Sequence, residues 1–247
     1  MKFPTIATPT YEVKLFSQEN PVKFRPFLVK EQKLMLLATE QTDANEVVNT
    51  IKQIIKNCLL DESIDVDKLP LIDIEVLFLN FRARSIGESI NVFFKCKNEV
   101  GEGEQKAQCG MVIDGSVDLL NVPVVNLDQN STKIMINDDV GLQMKYPTFE
   151  IIQKLSNPAE NLEENDEFKT IALCIDYIFD KENVYYSKDA TVEELVEFVM
   201  NLPAEKYDLL TNFFKSLPTI RQELNKDCPK CGFKHKFVLE GLNDFFI

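Results

Sequence analysis

The stretch Lys226-Asp227-Cys228-Pro229-Lys230-Cys231-Gly232-Phe233-Lys234-His235-Lys236-Phe237 decides how the chain is read. Two cysteines lie three positions apart on a tight turn, and Gly232 permits the backbone that aims amide groups at sulfur. Its flanks alternate as a hairpin does. A redox Cys-x-x-Cys prefers a helix N-terminus, which lowers the pKa of its first thiol. The pattern therefore favours zinc over redox chemistry.

Tetrahedral zinc needs two more ligands. Upstream, Cys96 ends a strand expected over Ser89–Lys97, and Cys109, followed by Gly110, begins one expected over Gly110–Leu119. Taking Asn98–Gln108 as an insertion within a hairpin turn brings the two sulfurs together at its base. The repeated Cys-Gly ending supports this. The expectation is one structural zinc site of Cys96, Cys109, Cys228 and Cys231, tying the tail to the first β region. Four thiolates leave no open position for water. His235 is the alternative ligand, and Cys96 and Cys109 also read as ordinary strand residues. Cys58 and Cys174 fall on apolar helical faces and read as buried thiols.

Outward from this clamp, Tyr11, Val13 and Leu15 alternate, Asn20-Pro21 turns, and Val22 to Phe27 runs back as a hairpin that Pro26 ends or confines to an edge. Helical spacing follows from Lys30, over Ala44–Leu60 with Asp43 as cap, and from Leu71 to Phe81 after Pro70. Short alternating runs at Lys133–Ile136 and Leu142–Lys145 are expected to share a sheet with the hairpin. Beyond Pro147 the reading is helical: Thr148–Leu155, Phe168–Phe179, a capping box at Thr191–Glu194 opening a helix to Met200, and Ala204–Ser216. Asn157–Glu167 reads as a solvated acidic loop. Phe213, Phe214, Tyr185 and Tyr186 read as core, and the apolar end Phe245–Ile247 as self-packing. The fold class is α+β. It comprises a mixed β/α N-terminal part with hairpins over 1–146, a helical, chaperone-like part over 147–218, and a zinc-ribbon-like cysteine tail over 219–247 that returns to the β region.

The chain has 247 residues, 45% of them hydrophobic, enough for a sizeable core. Its 27 Lys and Arg against 40 Asp and Glu give a net charge of −13. So acidic a surface disfavours general nucleic-acid binding. Eight glycines disfavour glycine-rich phosphate cradles, and Gly101-Glu-Gly103 fails the dinucleotide fingerprint. The start carries no apolar run suited to a signal peptide, and no stretch approaches the ~18 uncharged apolar residues of a membrane span, so a cytosolic protein is expected. A catalytic triad would have to pass through His235, the one histidine. No catalytic residue is assigned, and an enzyme is not expected.

Several short motifs recur in one order: Phe24-Arg-Pro-Phe27 with Lys30-Glu-Gln-Lys33, Leu69-Pro-Leu-Ile-Asp73 to Phe81-Arg-Ala-Arg84-Ser-Ile-Gly87, Met144-Lys-Tyr-Pro147, and the cysteine knuckle with Leu242-Asn-Asp-Phe-Phe246. Together they resemble the baseplate hub proteins of T4-like tailed phages, which include the small hub subunit and the hub assembly catalyst. The helical part from Thr148 to Leu217 is similar to phage tail assembly chaperones. The resemblance implies a non-enzymatic assembly factor for the baseplate hub of a contractile tail. It would act in the cytoplasm of the infected host on other hub or tail proteins. A structural hub subunit carried in the virion is the alternative, and a zinc-ribbon adaptor binding a host protein is a further one.

Overall fold

The computed structural model describes residues 6–40, 44–101, 106–127, 131–155 and 166–245. The Asp43 cap, nearly all of the acidic loop Asn157–Glu167, and Phe246–Ile247 lie outside the described residues.

Tyr11–Val13 (β1) and Val22–Phe24 (β2) pair antiparallel, Tyr11 opposite Phe24. Helices Val29–Glu40 (α1), Ala44–Cys58 (α2) and Leu71–Ser85 (α3) follow. Pro70 opens α3, where a missing N–H costs nothing, and its carbonyl accepts from the Asp73 and Ile74 amides. One side of α3 carries Phe78 and Phe81, which interlock with Phe24 and Phe27 at centroid distances of 5.1 to 6.3 Å. The other side carries Ile72, Leu79 and Ala83, which belong to a second core. Every residue of α3 is buried or partly buried, and the helix is the spine of the molecule.

Covering its second side are two ribbons. Ser89–Lys95 (β3) pairs with the later Val112–Asp118, and the connection holds a small hairpin of Glu99–Val100 (β4) with Ala107–Gln108 (β5). Val112–Asp118 is β6, and Val124–Val125 is β7. Further along come Lys133–Met135 (β8), Gly141–Met144 (β9), Phe149–Leu155 (α4), Asp166–Leu173 (α5), Ile175–Phe179 (β10), Val184–Tyr186 (β11), Val192–Met200 (α6) and Ala204–Lys215 (α7). The second ribbon is Thr219–Asp227 (β12) with Lys234–Glu240 (β13), edged by β7, and Gly241–Phe245 (α8) closes against α3. Phe245 is fully buried, and Arg82 Nε donates to its carbonyl at 3.3 Å.

Four expectations need correction, the placing of Tyr185 and Tyr186 in the core among them. Phe168–Phe179 is not one helix. α5 stops at Leu173, and Ile175-Asp-Tyr-Ile-Phe179 is a strand flanked by β9 and β11. Its apolar residues satisfied a helical period as well, but β-branched and aromatic side chains favour the pleat, and two neighbouring strands supply its hydrogen bonds. The second half is therefore a four-stranded sheet, ordered β11-β10-β9-β8, under helices rather than helical throughout. β8 and β9 belong to that sheet, not to the N-terminal hairpin. The end of α2 occupies the hairpin's free edge, with Arg25 N–H donating to the Cys58 carbonyl and Leu60 N–H to that of Lys23, both at 2.9 Å.

Tyr185 and Tyr186 are about half exposed on the edge strand, whereas Phe213 is buried. The Thr191–Glu194 capping box forms as read. Among the described residues no helix is long and apolar enough to cross a membrane.

Candidate metal centre

The two ribbons pack face to face, with Gly115 of β6 close beneath Leu224 of β12. Each ends in a cysteine-bearing turn, and the two turns share one construction. In the first, Cys96 N–H donates to the Met111 carbonyl at 2.8 Å and Gly110 N–H returns to the Cys96 carbonyl at 3.0 Å. Cys109 N–H donates to the Asn98 carbonyl at 2.8 Å, so the β4–β5 hairpin is grafted into the turn while its base stays closed. In the second, Cys228 N–H donates to the Phe233 carbonyl at 2.8 Å and Gly232 N–H to that of Cys228 at 2.9 Å. Gly110 at φ 65° and Gly232 at φ 72° occupy the left-handed region that side chains disfavour.

These turns bring four sulfurs together. Cys96 Sγ lies 3.7 Å from Cys231 Sγ, and Cys109 Sγ 3.7 Å from Cys228 Sγ. All four ligand atoms fall within 4.8 Å of one another. Zn–S bonds of ~2.3 Å set at tetrahedral angles give S···S edges of about 3.8 Å. The donor set therefore fits a tetrahedral thiolate-loving cation in size and chemistry. Cys96, Cys109 and Cys228 are buried, and Cys231 is partly exposed. Ile113, Val100 and Phe237 pack around the sulfurs.

The surrounding groups favour negative charge on sulfur. The Phe233 amide donates to Cys231 Sγ and the Asn98 amide to Cys96 Sγ, one equivalent bond in each turn. Asn98 Nδ2 lies 3.6 Å from Cys231 Sγ. The Phe233 bond leads the influences that hold the Cys231 thiol at about 6, whereas burial pushes Cys96 up to about 12. Of these two, Cys231 is the thiol that ionises more readily. His235 sits outside the sulfur quartet, with Nε2 3.1 Å from Cys96 Sγ. With its proton on Nε2 the imidazole donates to that sulfur. The ring is fixed by stacking on Phe237, which stacks in turn on Phe94 of the other ribbon at 4.0 Å. Cys58 and Cys174 stand apart from the quartet, and burial raises both thiols to about 12.

The short sequence motifs prove to hold the frame. Arg25 and Glu31 form a buried two-pronged ion pair. The Asp73 carboxylate accepts from the Phe16 and Ser17 amides. Tyr146 stacks on Phe213 and meets Phe16 edge-on, joining the second half to the first. Sequence reasoning missed Glu75, whose carboxylate accepts from Thr219 Oγ1 and Ile220 N–H at 3.0 Å each. Burial raises its pKa. Its signal was a charge inside the apolar run of α3.

The family model described as T4 bacteriophage base plate protein matches residues 8–247 of this chain. The curated protein named baseplate hub assembly protein gp26, of Enterobacteria phage T4, is 22% identical over 225 residues, covering 91% of this chain and 92% of that protein. No solved structure matches.

Proposed function

The chain belongs to the T4 bacteriophage base plate protein family, and from that premise we propose that it is a non-enzymatic assembly factor for the central hub of a contractile-tail baseplate. The observation that carries this reading is the similarity over nine-tenths of both chains to a protein whose name assigns it to hub assembly. Physically, such a factor holds a hub component through apolar and charged surface, while a net charge of −13 keeps the complex dispersed and suppresses wrong contacts. The family motifs support the reading in another way. Arg25, Glu31, Asp73, Phe78, Phe81 and Tyr146 of these motifs are committed to the ion pair, the aromatic core and the seams between elements, so the binding work falls to other residues.

The four cysteines would hold zinc in a structural role. When bound, the ion would supply cross-linking of the two ribbons and no more, because four thiolates fill its coordination sphere. The protein's own groups do the rest. Asn98 and Phe233 amides and His235 stabilise charge on sulfur, and the Phe94–Phe237–His235 stack fixes their orientation.

The test is co-expression with the hub proteins of the same phage, together with protein quantification in purified virions. An assembly factor yields a stable complex and is depleted from finished particles. Copies matching the hub's symmetry would instead make it a structural subunit, and the absence of any complex would remove both roles. Zinc is checked by elemental analysis of protein made in zinc-containing medium, where far less than one ion per chain rejects the site.

A further inference from the structure

At the end of the four-stranded sheet where β9 and β11 leave and β10 enters, a cleft of about 450 Å³ opens between α4, the end of α5, the turn through Ser187 and Ala190, and the start of α6. Its rim is unusually basic for this molecule. Lys68, Lys145, Lys154 and Lys188 come from four separate segments, and among the described residues Glu150 is the one acidic residue of the lining. Lys154 pairs with Glu150 at 2.9 Å, and Lys68 with nearby Asp65 at 3.5 Å. Both pairs are solvent-exposed and worth little, about 0–1 kcal/mol each, so a better-placed carboxylate can displace them. Lys188 leans over the Tyr186 ring at 5.2 Å. The floor is apolar, formed by Ile151, Leu173 and Leu195, which the rest of the fold buries.

A chain with thirteen excess negative charges that gathers four cations around an apolar floor has built a local field opposite to its own. We propose that this cleft receives a short acidic segment of a hub protein. The segment's carboxylates meet the lysine rim, and an apolar side chain rests on the floor. A polypeptide suits the site better than nucleic acid. The charge of a strand of phosphates continues past the cleft over a molecule that carries a net charge of −13, whereas an acidic segment ends its charge within the rim. The assignment rests on the reading that the protein works by gripping a hub component, and it names the chemistry of that grip.

The probe is a set of short overlapping peptides spanning the hub proteins of the same phage, presented to the intact protein and to the variants Lys145→Glu and Lys188→Glu, singly and together. The variants are first matched to the parent in zinc content and thermal unfolding. The expected result is that bound peptides carry net negative charge with apolar residues, and that the double reversal weakens them by about tenfold or more. Raised salt should weaken binding, and a short oligo-dT should fail to compete. Binding of neutral or basic peptides alone, equal binding by the variants, equal competition by oligo-dT, or no bound peptide at all overturns the proposal. Hub complexes that form on co-expression but ignore both reversals reject the cleft while leaving the assembly role intact. Acidic peptides bound at the cleft without any hub complex do the reverse.

Discussion

Arg25 and Glu31 face each other as two forks, Nη2 to Oε1 at 3.1 Å and Nη1 to Oε2 at 3.2 Å, with the Glu31 side chain wholly buried. Glu31 also accepts from the Leu28 amide at 2.9 Å, so the pair welds the hairpin exit to the start of α1. Removing one member leaves the other charge buried and unmatched. Glu31→Gln should therefore cost about 3–5 kcal/mol in urea unfolding, a larger effect than that of a surface pair. The pH dependence has a definite sign. Burial would raise the Glu31 pKa, but Arg25, the Leu28 amide and Lys30 outweigh it and hold the group below its ordinary value. A depressed carboxylate stabilises the fold fully above its unfolded value of about 4.3 and loses that contribution as pH falls through the lower folded value. The difference between parent and variant should shrink over that acidic range. A constant difference would mean that the pair does not carry the effect.

Asp73 takes a different route to the same end. Its buried carboxylate accepts from the Phe16 and Ser17 amides, more than fifty positions upstream, and pins the end of β1's chain segment to the first turn of α3. Asp73→Ala leaves two amide donors without their acceptor, at about 1–3 kcal/mol for each that water cannot reach. Asp73→Asn keeps one acceptor oxygen and should lose less. Chemical denaturation of the three proteins orders them parent, Asn, Ala. An alanine variant as stable as the parent would show that water replaces the carboxylate.

The sequence was most legible where one residue type has one use. Cys-Gly turns, Pro70 before a helix and Thr191 with Glu194 all state local geometry, and each appears where it was read. The juxtaposition of Cys96 and Cys109 also followed from local logic, since a hairpin inserted in a turn leaves the base of that turn unchanged. Ile175 to Phe179 was illegible for the opposite reason. Its apolar spacing suits two periods, and the choice was made by strand pairing, with β11 across a short turn and with β9, which lies far upstream in sequence. The basic cleft was invisible because its four lysines belong to segments that only the fold brings together.

His235 separates a ligand from a supporting group. Its Nε2 lies against Cys96 Sγ and not among the four sulfurs. If zinc is held by the four cysteines, His235→Ala should retain one zinc per chain with affinity reduced about 10–100-fold, the usual effect of losing an outer hydrogen bond. Cys96→Ser and Cys109→Ser should lose stoichiometric metal and unfold at lower temperature, with added zinc restoring little. Competition with a chromophoric chelator reads both effects. Loss of the metal in His235→Ala equal to that in Cys96→Ser would make the histidine a ligand.

Gly115 tests whether ribbon packing sets the metal geometry. A Cβ added there meets Leu224 Cδ1, the end of a flexible side chain, at 3.1 Å and Val92 Cγ2, on a stiffer β-branched one, at 3.2 Å. Alanine requires those groups to give by a few tenths of an ångström, and it should be tolerated at a cost near 1 kcal/mol. Leucine cannot be accommodated without moving β6 away from β12. Because Cys109 lies just before β6 and Cys228 just after β12, that movement lengthens the 3.7 Å separation between their sulfurs. If the four sulfurs hold zinc, Gly115→Leu should therefore weaken its binding although residue 115 touches no ligand, and Gly115→Ala should leave it nearly unchanged. A leucine variant that binds zinc as tightly as the parent would show that the cysteine turns hold their geometry independently of the ribbons beneath them.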